Sequence, residues 1–334
     1  MPELPEVETV RKGLEKLLND FYIERIEVLK DRSIASNGGS KSFIDNVKNS
    51  YLGNWERRGK YLIGSLLTKE KVSKGFLVVH LRMTGQFKLL EEEVLACTHT
   101  RVRFLEEKGR ELRFIDIRNF GQMWHVPSSR SVPEIVSGIK RLGPEPFSDD
   151  FNSHYLEEYL KKKTRSIKSA LLDQETVAGV GNIYADETLF DAGINPKKES
   201  RNLKSNELKR LCNSLVKILN ISIGEGGTTF SDFRDLEGIN GNYGGQAWVY
   251  RRSGKNCRKC GGKILREKIC GRSTHWCPNC QTYFFIKEEP LETLHYNILP
   301  GIELFSQGAT PQISSPLMRF TTEFEMDRSG STSP

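Results

Sequence analysis

Residues 1–18 read Met1-Pro2-Glu3-Leu4-Pro5-Glu6-Val7-Glu8-Thr9-Val10-Arg11-Lys12-Gly13-Leu14-Glu15-Lys16-Leu17-Leu18. Val7, Val10, Leu14 and Leu17 recur at helical spacing. Glu3 and Glu6 precede them, where the helix macrodipole favours acids. The pattern predicts a helix from Leu4 to Leu18. A proline near a helix start is ordinary helix chemistry. Pro2 has a second reading, because removal of Met1 from before a small residue leaves a secondary amine at the free terminus. An α-amino group titrates near 7.7–8.0 and a lysine near 10.4, so at pH 7 roughly 10–20% of the first is unprotonated against under ~0.1% of the second. That difference favours the terminus for Schiff-base chemistry.

Outward from this helix the pattern changes. Tyr22–Val28, Tyr61–Leu67, Phe76–Leu81, Val102–Leu105, Leu112–Ile115 and Gln122–Val126 are short apolar or alternating runs, which predict a β-sandwich behind a leading helix. Between about Val132 and Ile223 the signals turn helical, in Tyr155–Lys162, Asn182–Ala192 and Ser205–Ile221, with Pro196 and the Gly179/Gly181 pair as punctuation. A glycine-rich stretch from Gly224 to Gly245 then leads into a cysteine module. The reading is an α+β protein with a β-sandwich domain over 1–131, a helical domain over 132–250, a cysteine module over 251–287 and an acidic tail over 288–334 that is read as disordered.

Cys257-x2-Cys260 and Cys277-x2-Cys280 match the four-thiolate pattern of a zinc ribbon, a β-hairpin holding one structural Zn2+. Cys270 and His275 lie between the pairs and are read as spectators. The alternatives are four unligated thiols or iron in place of zinc. The acids at the N-terminus and the lack of an apolar stretch after them exclude a secretory signal, and no run is long enough to span a bilayer. The expected compartment is therefore a reducing cytoplasm, where cysteines serve metals before disulfides.

The net charge of +7 is modest, but it is not evenly spread. Residues 251–281 carry Arg251, Arg252, Lys255, Arg258, Lys259, Lys263, Arg266, Lys268 and Arg272 against Glu267 alone, whereas 288–334 carries seven acids and two arginines. A basic finger points to phosphate contact.

Six strings stand in order along the chain: MPELPEVETV at 1–10, RRGKYL at 57–62, HLRMTG at 80–85, GVGNIYADE at 179–187, GGTTFSDF at 226–233, and the paired CxxC with GRSTHWCPNCQ at 271–281. Together they resemble the formamidopyrimidine-DNA glycosylase family, the bacterial-type 8-oxoguanine glycosylases that carry a zinc finger. The likeness spans about residues 1–287, and the tail from Glu288 lies beyond the family's usual end. It implies a monomeric enzyme of base excision repair that acts on damaged double-stranded DNA. Such an enzyme flips out an oxidised purine, cleaves its glycosidic bond and breaks the strand by β- and δ-elimination. Extrusion costs a few kcal/mol.

Residue by residue, the resemblance implies that Pro2 forms the iminium and Glu3 handles protons, with Glu6 in support. It assigns Lys60 to β-elimination and phosphate binding, and Arg272 to δ-elimination. Met83, Arg118 and Phe120 would fill the gap left by the extruded base, an apolar wedge plus an arginine. DIRNFG at 116–121 places Asn119 where a second arginine is usual, so one backbone contact is expected to be weaker. His99, Arg165, Lys168 and Asn182 are the remaining expected DNA contacts, Asn182 at a helix start where free N–H groups suit a phosphate. The resemblance thus makes 1–131 the catalytic β-sandwich domain and 132–250 a helix–two-turn–helix DNA-binding domain. Ser231 to Tyr243 falls where the family has a mobile loop over the lesion. Two rival readings are an endonuclease VIII-like glycosylase for oxidised pyrimidines and a non-catalytic zinc-ribbon DNA-binding protein.

Overall fold

The computed structural model of the chain describes residues 1–18, 20–107, 109–228 and 241–282. The acidic tail at 288–334 and residues 231–240 of the expected lesion loop lie outside the described residues. The first helix, α1, runs Leu4–Leu17. The backbone N–H of Glu3 donates to Glu6 Oε2 at 2.7 Å, half of a capping box that starts the helix.

After α1 come β1 (Tyr22–Ile23), β2 (Arg25–Val28), α2 (Gly39–Val47), β3 (Ser50–Arg58), β4 (Tyr61–Leu67), β5 (Ser73–His80), β6 (Gly85–Leu90), β7 (Thr100–Leu105), β8 (Glu111–Asp116) and β9 (Gln122–Pro127). They form two antiparallel sheets, ordered β1-β3-β4-β5-β9 and β2-β7-β8-β6. The run read as one strand, Tyr22–Val28, is two. Ile23 pairs with Ser50 in the first sheet, and Arg25–Val28 pairs with β7 in the second. A chain that changes sheets at Glu24 buries Ile23 and Ile26, a spacing of three that a single strand does not allow.

Strand β3 was hidden from the sequence pattern for a related reason. Its buried Leu52 and Trp55 flank a register shift, so an extra residue breaks the two-residue alternation. The helix α2 buries only Phe43 and Val47, too little to show a period.

The second half contains the short helices α3 (Val132–Ile135) and α4 (Ser137–Lys140), then α5 (Ser153–Leu160), α6 (Ile167–Leu172), α7 (Asn182–Asp191), α8 (Ser205–Gly224) and α9 (Tyr243–Gln246). A hairpin follows, β10 (Leu265–Ile269) with β11 (Arg272–Trp276). Ile269 pairs with Arg272 across a two-residue turn whose members, Cys270 and Gly271, both have positive φ, as a type I′ turn requires.

The helix α1 belongs to two cores at once. Val7, Val10 and Leu14 pack among the strands, with Phe21, Trp55, Phe87 and Phe114. Leu4, one turn earlier, packs with Leu171, Val180, Tyr184 and Leu215 of the helical half, and its N–H donates to Gly179 O at 3.0 Å. Gly179 adopts φ +85°, and a Cβ there would lie 2.7 Å from Leu4 Cβ, so glycine is needed on both counts. Leu4→Ala is expected to cost ~2–5 kcal/mol in chemical denaturation, the range for emptying a fully buried leucine site. A loss under about 1 kcal/mol would show that the two cores do not depend on this side chain.

Candidate active site and nucleic-acid interface

The side chain of Glu3 leaves α1 and enters the start of α7. Its Oε1 accepts from Ile183 N at 2.9 Å and its Oε2 from Tyr184 N at 3.3 Å. These are first-turn amides that have no partner within their own helix. Gly181 makes the approach possible, because a Cβ on it would lie 2.3 Å from Glu3 Cδ. The sequence reading reserves this helix start for a DNA phosphate. In the structure the anion at the Ile183 and Tyr184 amides is the protein's own carboxylate.

Glu6 is equally buried. Besides the Glu3 N–H, it accepts from Tyr184 OH at 2.6 Å and Thr228 N at 2.8 Å, both through Oε1. Ser222 Oγ and Thr228 Oγ1 lie 2.5 and 3.0 Å from the same tyrosine oxygen. Tyr184 spends its one proton on Glu6, so these two hydroxyls donate to it.

Lys60 sits in the tight turn between β3 and β4, with Gly59 at φ +56°. Glu145 fixes that turn by accepting from Gly59 N at 2.6 Å, Arg57 Nη1 at 2.6 Å and Arg58 Nη1 at 2.9 Å. Lys60 Nζ donates to Val180 O at 2.9 Å. Burial pushes its ammonium below the usual lysine range, against the pull of Glu3 and Glu6 and with the push of Arg272. Glu3 moves the other way. Burial, partly offset by Lys60 and reinforced by Glu6, pushes it up to about 7. A carboxyl titrating there is protonated in about half of molecules at neutral pH and serves as acid or base.

Met1, exposed next to buried Pro2, lines two recesses. One, of about 470 Å³, is lined by Lys60, His80, Arg82, Arg141 and Gln174. The other, of about 370 Å³, is lined by Arg32, Arg82, Met83 and Phe120. Met1 and Arg82 line both. His80 is nearly buried, and burial, with Arg82 and Lys60 adding to it, pushes its imidazole down to about 3. Its Nδ1 accepts from Arg82 N at 3.0 Å, so the neutral ring carries its proton on Nε2.

Met83, Arg118 and Phe120, expected to fill the gap left by an extruded base, stand on two loops held by buried Asp116. Its Oδ1 accepts from Thr84 Oγ1 at 2.5 Å and Arg118 N at 3.2 Å, and its Oδ2 from Phe120 N at 2.8 Å and Gly121 N at 2.7 Å. One carboxylate thus ties the Met83 turn to the Arg118–Phe120 loop. The Arg118 guanidinium lies 5.0 Å from the centre of the exposed Phe120 ring. Asn119 adopts φ +55°, a left-handed conformation that asparagine tolerates well, and its Oδ1 accepts from Ser33 Oγ at 3.3 Å. His99 is exposed, and its carbonyl accepts from Asp116 N at 2.9 Å, which puts it beside the same loop.

The remaining expected DNA contacts are differently placed. Lys168 is fully buried rather than presented to a phosphate. Its Nζ lies 2.6 Å from Asp186 Oδ1 and donates to Ser273 O at 2.9 Å and Thr274 Oγ1 at 2.8 Å. The ion pair makes that burial tolerable. Arg165 pairs with Asp173 at 2.7 Å and donates to Thr176 Oγ1 at 3.1 Å. Asn182 Nδ2 donates to Ser273 O at 2.9 Å. Arg272 is exposed at the start of β11, near enough for its charge to bear on Lys60.

Asp116, Asp186 and Glu187 escaped the sequence reading. Glu187 is buried and accepts from Trp248 N, Val249 N and Tyr250 N at 2.8–2.9 Å, fixing the entry to the finger. Asp186 and Glu187 look locally like acids on a solvated helix face, and only partners far along the chain reveal them. His80 and Gln174 were also passed over; of these five residues only Gln174 lay outside the quoted strings. Gln174 accepts from Gly179 N at 3.0 Å and donates to Val180 O at 2.8 Å.

The sulfurs of Cys257, Cys260, Cys277 and Cys280 lie within 4.8 Å of one another. Tetrahedral zinc with bonds of about 2.3 Å sets sulfurs about 3.8 Å apart. Observed separations of 3.8 Å for Cys257–Cys280 and 3.4 Å for Cys260–Cys277 fit one structural zinc. Cys270 is exposed in the hairpin turn and His275 is bonded to Asp186, so neither joins the set.

Two measurements test this arrangement. With carboxyl-labelled glutamate, NMR is expected to show a glutamate titrating at about 7, protonated below and ionised above. Lys60→Met should move it higher, since the ammonium holds it down; a shift to lower pH would contradict this electrostatic picture. Cys277→Ser is expected to lower bound zinc from about one equivalent to below ~0.1 and to weaken duplex binding with a shallower salt dependence. Full zinc would remove Cys277 from the ligand set, and lost zinc with unchanged DNA affinity would remove the finger from the interface.

Three family descriptions match the chain: the formamidopyrimidine-DNA glycosylase N-terminal domain at residues 1–123, the formamidopyrimidine-DNA glycosylase H2TH domain at 142–234, and the zinc finger found in FPG and IleRS at 254–282. A formamidopyrimidine-DNA glycosylase of Prochlorococcus marinus (strain NATL2A) is 95% identical over 281 residues, covering 84% of this chain and 100% of that protein. The structure is similar to that of a Lactococcus lactis FPG mutant in complex with Fapy-dG containing DNA, with TM-score 0.77 and 34% identity over 84% of this chain and 100% of the other. It is likewise similar to MutM in complex with carbocyclic 8-oxo-G containing DNA, with TM-score 0.76, 34% identity and the same coverage. Among the described residues no helix is long and apolar enough to cross a membrane. From its first turn to its cysteine finger, the chain belongs to the formamidopyrimidine-DNA glycosylase family.

Proposed function

We propose that the protein is a bifunctional DNA glycosylase and AP lyase of base excision repair that removes oxidised purines, 8-oxoguanine and formamidopyrimidines, from damaged duplex DNA. The observation that carries this reading is a buried carboxyl, Glu3, held by the Ile183 and Tyr184 amides directly beside residue 2, with Met1 lining two recesses. Removal of Met1 frees the secondary amine of Pro2. The amine attacks C1′, the C1′–N bond breaks, and its electron pair leaves with the base. The nitrogen loses its proton, the C1′–O4′ bond opens to the iminium, and Glu3 supplies the proton that O4′ takes up. Loss of a C2′ proton then breaks the C3′–O bond, with Lys60 at the phosphate. Loss of a C4′ proton breaks the C5′–O bond, and the electron pair leaves with the phosphate that Arg272 steadies.

Met83, Arg118 and Phe120 fill the gap left by the extruded base, an apolar edge backed by a cation. His99 and the side chain of Asn182 reach the backbone, while Asn119 contributes less there than an arginine would. The finger adds sequence-independent phosphate affinity and takes no part in bond making. The enzyme works as a monomer on the chromosome in a bacterial cytoplasm.

Borohydride reduction in the presence of a duplex carrying 8-oxoguanine opposite cytosine is expected to leave a covalent adduct on the Pro2 peptide. A form that retains Met1 should give none. An adduct on a lysine instead would refute the nucleophile, and faster release of thymine glycol than of 8-oxoguanine would refute the substrate class.

A further inference from the structure

Three consecutive residues after Arg272 are gripped by the helical half. Ser273 O accepts from both Lys168 Nζ and Asn182 Nδ2, each at 2.9 Å. Thr274 Oγ1 accepts from Lys168 Nζ at 2.8 Å. The His275 N–H donates to Asp186 Oδ2 at 2.8 Å, with His275 Nδ1 3.3 Å from the same oxygen and its ring packed edge-on to Tyr250. The opposite strand, β10, is mostly exposed and reaches the helical half through a surface pair, Lys197 with Glu267 at 3.2 Å.

Both ends of the grip on β11 converge on one carboxylate. Asp186 Oδ1 pairs with Lys168 and Oδ2 takes the His275 amide, and the aspartate side chain is fully buried on α7. The ion pair lets an ammonium sit inside the protein and point its protons at Ser273 and Thr274. Only the hairpin's type I′ turn and one residue then separate this anchored segment from β10, so Arg272 has little freedom to swing away from Lys60.

We infer that Asp186 is a positioning residue for the second strand-breaking step: by clamping residues 273–275 through Lys168 and its own carboxylate, it holds Arg272 where the departing 5′-side phosphate must be met. This rests on the reading of Arg272 given above. It predicts that disturbing the clamp separates the two eliminations, because β-elimination uses groups outside the clamp and δ-elimination uses Arg272.

The test follows products from duplex DNA containing an abasic site. Asp186→Asn keeps the shape of the side chain and an acceptor for His275, and it removes the charge that pairs Lys168. The ratio of β-product to β,δ-product is expected to rise by roughly threefold to thirtyfold, the range for a residue that acts through another. Bound zinc and borohydride trapping at Pro2 should be retained. Thr274→Val strands no charge and should shift the ratio the same way by roughly twofold to tenfold, the worth of one hydrogen bond; it decides the matter if the aspartate variant does not fold. An unchanged ratio in the variants that fold overturns the inference. So does a parallel loss of zinc, trapping and both eliminations, which would mark Asp186 as a residue of general stability. Arg272→Ala is run beside them: if it too leaves the ratio unchanged, the fault lies in the role given to Arg272.

Discussion

The rest of the site depends on two carboxylates placed where water cannot reach them. Glu3 and Glu6 stand on the first turn of a helix whose lower part is sheathed by strands and whose tip enters a helical core. Such groups survive burial only if their oxygens are supplied with donors. The supply comes from amides of Ile183, Tyr184 and Thr228 and from the Tyr184 hydroxyl. The same bonds therefore join the sandwich to the helices and hold the acid beside Pro2. Partial compensation keeps Glu3 near neutrality; stronger donors would leave it a spectator carboxylate, and none would leave it permanently protonated.

A second theme is how much charge is spent inside. A basic chain that meets DNA invites each arginine and lysine to be assigned to a phosphate, yet Arg57 and Arg58 are tied to Glu145, Arg165 to Asp173 and Lys168 to Asp186. These pairs shape the surface on which His99, Arg118 and Arg272 are displayed. Electrostatic attraction to a polyanion falls on the charges left exposed, while the paired ones fix geometry.

What was legible in the sequence divides along physical lines. Elements with a clean period were found nearly to the residue: α1 ends at Leu17 against an expected Leu18, and β4 is Tyr61–Leu67 in both. Elements whose period is interrupted were lost or merged, β3 at its bulge and the Tyr22–Val28 run at its change of sheet. The metal set was visible because knuckle geometry demands a fixed local spacing. Glu3, Lys60 and Arg272 were picked out by family strings; no local rule connects residues 3, 60 and 272. The buried acids Asp116, Asp186 and Glu187 stood inside quoted strings but received no role, since an acid on a helix or at a strand end looks the same whether its partner is water or an amide ninety residues away.

The shared membership of α1 in two cores bears on how the molecule comes into being. Glu3 has no amides to occupy until residues 183 and 184 exist, and Glu6 lacks one of its donors until residue 228. A growing or truncated chain thus presents an ordinary ionised acid beside its terminal amine. The raised carboxyl is therefore a property of the assembled fold, and no fragment that stops short of residue 183 reproduces it.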